Sequence, residues 1–475
     1  MPPRIRIISG VLVLIASAHA FAADIDPKVA RDLYDKVTPS LVVVQYTYDG
    51  ELGRRDIDGA GLVVSDQGLV ICSMTLTPNS IPDEQLKDFK LIIPGDEETE
   101  LDATFLGRDE RSGLSFVQAK DAGKGKWTPV KFDADAPAPH VGDPLVSVGL
   151  LPKSAGYKSY LMQARVSAEL RGPTPQVLVS GEGLTAVGSP VFDASGRAVG
   201  IVHAQADQNP MLNSRGQRGG REVEGDDFAS VLNPPRMYVP ARDFIPSLQD
   251  PPTLDRPLTL PWTGISQLSG LKKEVADYYG LKDQPAVQVG DVIPGAPAEK
   301  AGVKAGDVIV KLNGQALERG DSPDETWRIL VNRVMRMKVG SSVTLSVLSS
   351  NDKPPRDVTV TLGERPKPAS RAKRFYAEDL GFTVRELVFA DTYERKLAQD
   401  APGVVIDFVK RGSSAQNARV GVGDLVNQLN GQPVKDVADF KTQYEAFRKD
   451  KPREALVLEV LRGVNTQVIR IEPPQ

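Results

Sequence analysis

The sequence is poor in the side chains that carry most enzyme chemistry. Its 475 residues hold one cysteine, Cys72, and three histidines, His19, His140 and His203. One cysteine excludes an intramolecular disulfide and any Cys-rich zinc site. So few imidazoles leave little for a His-based metal centre or for acid–base work near neutral pH. The formal charge is −4, so the chain lacks the excess of Lys and Arg that a nucleic-acid-binding face requires. After residue 22 no apolar run is long enough to span a bilayer, which takes about 20 residues. What is present is ordinary for folded protein: 40% hydrophobic, 25% charged, with 42 glycines and 37 prolines. At roughly 150 residues per domain this length suggests two to four domains.

The first residues read as an address. Met1-Pro-Pro-Arg4-Ile-Arg6 is a short basic start, and Ile7–Ala18 is an apolar stretch too short for a comfortable membrane helix. Ala18-His-Ala20 and Ala20-Phe-Ala22 are small-x-small cleavage patterns, so residues 1–22 read as a secretory signal peptide cut after Ala22. Cleavage removes His19 as well, leaving His140 and His203, and the expected location is periplasmic or secreted.

An internal repeat organises the C-terminal half. Ala305-Gly-Asp-Val-Ile-Val-Lys-Leu-Asn-Gly-Gln315 recurs as Val422-Gly-Asp-Leu-Val-Asn-Gln-Leu-Asn-Gly-Gln432, an offset of 117. The same offset pairs Gly264 with Gly381 and Ala298 with Ala415. Two copies of one domain are expected, over 261–364 and 375–473, with the Pro- and charge-rich Arg365–Arg374 as an exposed linker between them. Ser247–Pro261 reads as a second linker. Residues 23–246 then form an N-terminal domain. It reads as mainly β: Leu41–Tyr48 is rich in β-branched and aromatic residues, and hairpins are expected at Gly61–Ile71 and Pro190–Val202. A helix at Pro27–Lys36 precedes them, and the polar, Gly-rich 207–232 reads as a long loop.

The order of these segments resembles the HtrA family of secreted serine proteases, which carry a chymotrypsin-like double β-barrel followed by PDZ domains. Gly59-Ala-Gly-Leu-Val-Val-Ser-Asp-Gln-Gly-Leu-Val-Ile71 is similar to the family hairpin that leads to the catalytic histidine. Gly107–Val117 is similar to the segment holding the aspartate, Val141–Gly149 to the Val-Gly-Asp strand, and Gly188–Ile201 to the stretch behind the nucleophile. The resemblance implies a mainly β chain: a double β-barrel followed by two α+β PDZ domains. Carried over residue by residue, the histidine falls on Thr75, the aspartate on Gly113 and the serine on Val187. None of the three can do the work. Valine has no lone pair for attack, threonine is no general base near pH 7, and glycine cannot orient a base.

Other residues offer weak substitutes. Ser189 reads as a turn residue two positions after Val187, His203 as a partly buried strand end, His140 as a loop residue and Cys72 as a small buried hydrophobe. The run Asp109-Glu110-Arg111 reads as a solvated turn. In each C-terminal copy the resemblance implies a loop whose backbone amides capture a peptide carboxylate while the peptide adds to a sheet edge. Those loops are Thr263-Gly264-Ile265 and Leu380-Gly381-Phe382, with a helix from Ser322 and another from Val437 as the facing walls.

Three functions stay open. One is a pseudoprotease scaffold, adaptor or chaperone that binds protein C-termini and unfolded envelope proteins through tandem PDZ domains. The second is an active endopeptidase in envelope protein quality control. The third is an assembly protein whose PDZ domains make oligomer contacts. No cofactor, metal or nucleic acid is expected; the family resemblance allows a homotrimer through the barrel.

Overall fold

The computed structural model describes residues 25–95, 99–133, 137–171, 175–203, 233–282 and 284–474. The expected signal peptide and the 207–232 loop lie outside these residues. Helix α1 (Pro27–Val37) starts where Asp26 caps the amide of Lys28 and Pro27 occupies the first turn. It lays Ala30, Leu33 and Val37 on the barrels.

Two closed six-stranded barrels follow. The first is β1 (Leu41–Gly50), β2 (Gly53–Val63), β3 (Leu69–Ser73), β4 (Leu86–Ile93), β5 (Thr99–Asp109) and β6 (Leu114–Ala119), in the order β1-β2-β3-β6-β5-β4. The second is β7 (Pro144–Leu150), β8 (Ser159–Leu170), β9 (Gln176–Gly181), β10 (Pro190–Asp193), β11 (Ala198–His203) and β12 (Met237–Pro240), in the order β10-β11-β12-β9-β8-β7. Closure leaves no free sheet edge. The largest core cluster joins both barrels, with Leu41, Ile71 and Phe116 from the first meeting Val148, Ile201 and Phe244 from the second side. The double barrel expected from the sequence is the observed fold.

The repeat appears as two similar sheets. The first copy holds β13 (Pro261–Trp262), β14 (Ile265–Gly270), β15 (Val287–Val292), β16 (Val308–Leu312), β17 (Gln315–Ala316), β18 (Ser342–Leu348), β19 (Arg356–Thr361) and β20 (Gly363–Glu364). Its sheet runs β14-β15-β16-β18-β19, and β13 pairs separately with β20. Helix α2 (Pro323–Met335) begins at Ser322, whose hydroxyl accepts from Glu325 N–H at 3.2 Å. The second copy holds β21 (Arg374–Ala377), β22 (Phe382–Glu386), β23 (Val404–Val409), β24 (Leu425–Leu429), β25 (Gln432–Pro433), β26 (Leu456–Arg462) and β27 (Asn465–Ile471), with helix α3 (Val437–Asp450). Its sheet runs β21-β22-β23-β24-β26-β27.

The linker between the copies differs from expectation. Its last residue, Arg374, opens β21, and Ala372 is buried. Arg371 reaches back to Glu110 at 3.2 Å. Among the described residues no helix is long and apolar enough to cross a membrane.

Candidate functional site

Thr75, Gly113 and Val187 lie on segments that meet in the crease between the barrels. Thr75 follows β3 and turns back on it: its N–H donates to Ser73 Oγ at 3.2 Å, and its hydroxyl shares a 2.9 Å hydrogen bond with the same atom. The next contact ties this turn to the neighbouring strand pair, with Met74 N–H donating to Gly113 O at 2.8 Å. From the second barrel, the turn carrying Val187 closes the crease. Gly188 N–H donates to Val202 O at 2.9 Å, and a Cβ on Gly188 would lie 3.0 Å from Ala60 O and 3.4 Å from Ser73 N.

His203, at the end of β11, lies against Gly113. A Cβ on Gly113 would stand 2.8 Å from its Cε1. Burial holds this imidazole below its ordinary pKa of 6.5, so it is neutral at pH 7. The space that a side chain at position 113 would enter is therefore filled by a neutral ring.

Val187 offers no nucleophile, and the Thr75 hydroxyl is engaged with Ser73. In a trypsin-type site the oxyanion is held by the amides of the nucleophile and of the residue two before it. With the nucleophile position read at Val187, those would be the amides of Val187 and Thr185, and the Thr185 N–H donates to Ser147 Oγ at 2.8 Å. Ser189 is fully buried, its hydroxyl turned toward Gly149, where a Cβ would come within 2.6 Å of it. Cys72 is equally buried, and burial pushes its thiol up to about 12. His140 is an exposed loop residue whose Nδ1 stands 3.7 Å from Asp143. Among the described residues no group of three or more His, Cys, Asp or Glu is placed to hold a metal ion.

A second candidate site is the groove of the first copy. One edge of β14 pairs with β15, and the other faces α2. Between them lies a cavity of about 420 Å³, lined by Leu260, Trp262, Ile265, Leu268, Leu330 and Val334 among others. Thr263 and Ile265 both line it, with Gly264 between them in the chain. Gly264 has φ +81°, and a Cβ there would sit 2.1 Å from that of Ala296, so the loop can take this path only with glycine. Thr263 anchors the loop, its carbonyl accepting from Ala298 N–H at 2.7 Å. The Thr263 hydroxyl also accepts from Ile265 N–H at 3.3 Å.

The second copy repeats the loop. Leu380 O accepts from Ala415 N–H at 3.0 Å, and Gly381 has φ +75°. A Cβ on Gly381 would sit 2.4 Å from that of Ser413. Here, however, Leu380 and Phe382 are fully buried and the outer edge of β22 is paired with β21.

The chain is similar to known proteins in both its barrel and its C-terminal regions. A trypsin-like peptidase domain family matches residues 59–201, and a PDZ domain family matches residues 288–340. The chain is 28% identical over 428 residues to a probable periplasmic serine endoprotease, DegP-like, of Rhizobium meliloti (strain 1021), covering 86% of this chain and 74% of the relative. It is 26% identical over 442 residues to the protein of the same description in Bartonella henselae, covering 91% and 77%. The chain is similar to the HtrA/DegP-type trypsin-like serine proteases with a PDZ domain. Solved structures share its fold. HtrA-type protease AlgW with a tripeptide superposes at a TM-score of 0.52 with 18% identity, over 71% of this chain and 98% of that one. AlgW with a decapeptide gives 0.50 at 17% identity, over 71% and 99%.

Three features of this chain escaped the sequence reading. The contact of His203 with Gly113 and the bond from Thr185 to Ser147 join residues far apart in sequence, and no local pattern announces them. The third is Asp109, read as part of a solvated turn. It is fully buried. Its Oδ1 accepts from the amides of Arg111 and Ser112 at 2.9 and 3.3 Å, and its Oδ2 accepts from the Ser247 hydroxyl at 2.6 Å. A carboxylate that satisfies its own turn can be buried. The signal was the spacing Asp-x-x-Ser before a glycine, a turn-capping pattern.

Proposed function

We propose that this protein is a pseudoprotease of the cell envelope: a double barrel that no longer cuts, serving as a scaffold or adaptor for peptide capture by the C-terminal copies, read here as two PDZ domains. The observation that carries the reading is the groove of the first copy, lined mainly by apolar side chains with Glu110 and Arg365 among them, beside the Thr263-Gly264-Ile265 loop. An extended peptide with a free carboxylate and apolar side chains fits such a groove by adding a strand to the β14 edge. The replaced residues in the barrel crease support the other half. Without a nucleophile and base, and with one oxyanion amide engaged by Ser147, only residual binding terms remain for hydrolysis. The relatives named above are described as periplasmic, and residues 1–22 read as a leader, so a periplasmic location accompanies this proposal.

The test uses the chain from residue 23. Unfolded casein should stay intact over a time in which an active family member degrades it. A fluorescent peptide with an apolar last residue should bind, and amidating its carboxylate should weaken binding by roughly tenfold or more, the equivalent of about 1.4 kcal/mol. Cleavage of casein would favour the endopeptidase reading. Indifference to the carboxylate, or no binding, would favour an assembly role.

A further inference from the structure

The outer edge of β22 in the second copy is the place where a peptide would add, and the chain has put its own residues there. We propose that Arg374–Ala377 is a built-in ligand that closes the second groove. By the same geometry, the ligand class this groove takes is a chain end with a small last residue and an aromatic residue two positions before it. The inference rests on the peptide-capture reading above.

Direction, register and side-chain placement all support it. The strand β21 runs antiparallel to β22, with Arg374 opposite Arg385 and Ala377 opposite Phe382. Its C-terminal end therefore points at the glycine loop, as a captured chain end must. Ala377 O accepts the Gly381 N–H at 2.8 Å, where a carboxylate oxygen would be held. Ala377 is itself buried at that end, 1% exposed. Alternation then sends Phe375 to the same side. Its ring meets those of Tyr444 and Phe440 on α3 at 5.4 and 6.1 Å. Arg374 and Tyr376 take the other side, where Arg374 pairs with Asp407 at 2.7 Å and the Tyr376 hydroxyl approaches Glu51 O at 3.4 Å.

The first copy shows what the fold does without this strand. The offset of 117 places Pro257–Leu260 where the second copy has Arg374–Ala377. Proline has no N–H to give a sheet, and Leu260 O accepts from Arg365 N–H at 2.8 Å instead. The chain is drawn off toward the β13–β20 pair and the groove stays open. In the second copy the turn after β21 is latched: Asp379 accepts from Tyr444 and from Arg448, whose Nε stands at 2.7 Å.

Hydrogen exchange on the chain from residue 23 tests the proposal, with a peptide ending Arg-Phe-Tyr-Ala and a free carboxylate as probe. In the native protein, amides of 382–386 should exchange at least tenfold more slowly than those of 265–270, and the peptide should leave 382–386 unchanged. Phe375→Asp should speed exchange at 382–386 at least tenfold, and the peptide should then restore protection there. Protection at 265–270 reports the first groove separately, so failure of that site is seen apart from failure of this one. Slow exchange of β26 and β27 shows that the variant is folded; if it is lost, the milder Phe375→Ala supplies the reading. The proposal is overturned if native 382–386 exchanges as fast as 265–270, if the peptide already protects it in the native chain, or if the opened variant gains nothing from the peptide.

Discussion

At Gly113 two constraints coincide. The backbone has φ +71°, and the space beside the α-carbon is filled by His203. Gly113→Ala should therefore cost about 1–3 kcal/mol, the scale of a residue held in the left-handed region, with a steric part added by the ring. In a His203→Ala background the cost of the same change should shrink, because the steric part is gone and the backbone part is not. Urea unfolding of the four proteins in this cycle measures the difference; equal costs in both backgrounds would remove the contact from the explanation. The same contact bears on repair. Thr75→His with Gly113→Asp and Val187→Ser should remain inactive on casein, because the aspartate would meet the imidazole and the Thr185 amide stays bonded to Ser147.

His203 also sets a pH dependence. Its folded pKa lies below 6.5 through burial, so below pH 6.5 the unfolded chain binds a proton that the folded chain refuses. Stability from this group is complete above that value and falls as the pH drops through it. Between pH 7.5 and 5.5 the native protein should lose more stability than His203→Gln, measured by urea midpoints at each pH; parallel losses would count against the assignment. None of this was legible in the sequence. The positions Thr75, Gly113 and Val187, read by resemblance as those of the triad, come from counting along motifs, but a contact between residues 113 and 203 exists only once two barrels close on each other.

Among the elements, those with local chemistry were the legible ones. The repeat could be read because Gly-Asp and Asn-Gly turns bracket β16 and β24 at a fixed offset, and turns of this kind depend on few residues. Helix α2 could be read from Ser322 and Pro323, and its cap is measurable: Ser322→Ala should cost about 1 kcal/mol, seen in the unfolding of the first copy alone. Strand β21 was not legible. It is four residues long, too short to show a period, and it follows a stretch whose prolines and charges read as linker. Its strand state comes from what receives it, the unpaired edge of β22 and the aromatic face of α3. Strand formation of this sort is a property of the pair and has no signature in the segment itself.

For the whole molecule, the division of the core predicts how it comes apart. One cluster spans both barrels, while the first copy and the second copy each enclose their own, around Val289, Leu312 and Leu330 and around Phe382, Phe440 and Leu458. The contacts between these units include the ion pairs Arg171 with Glu318 at 2.7 Å, Arg371 with Glu110 at 3.2 Å and Arg336 with the buried Asp243, the hydrogen bond of the Thr383 hydroxyl with Glu51 at 3.1 Å, and an edge-to-face ring contact of Trp262 with Phe389 at 5.6 Å. Exposed pairs contribute little each and are screened by salt, and a single ring pair adds about 0.5–1.5 kcal/mol, so three separate cores are expected to unfold as separate units. Calorimetry should resolve more than one transition. Phe440 is fully buried and touches the rings of Phe375, Phe382 and Tyr444. Phe440→Ala should remove about 3–5 kcal/mol and lower one transition by more than about 10 °C while the others stay within a degree or two. A single transition that moves as a block would mean that the contacts between the units couple them strongly. The same experiment bears on the closed groove, because Phe440 is part of the wall against which Phe375 rests. If β21 is held there mainly by the aromatic face, the variant that loosens this core should also free the edge of β22, and exchange at 382–386 should rise before the second copy melts.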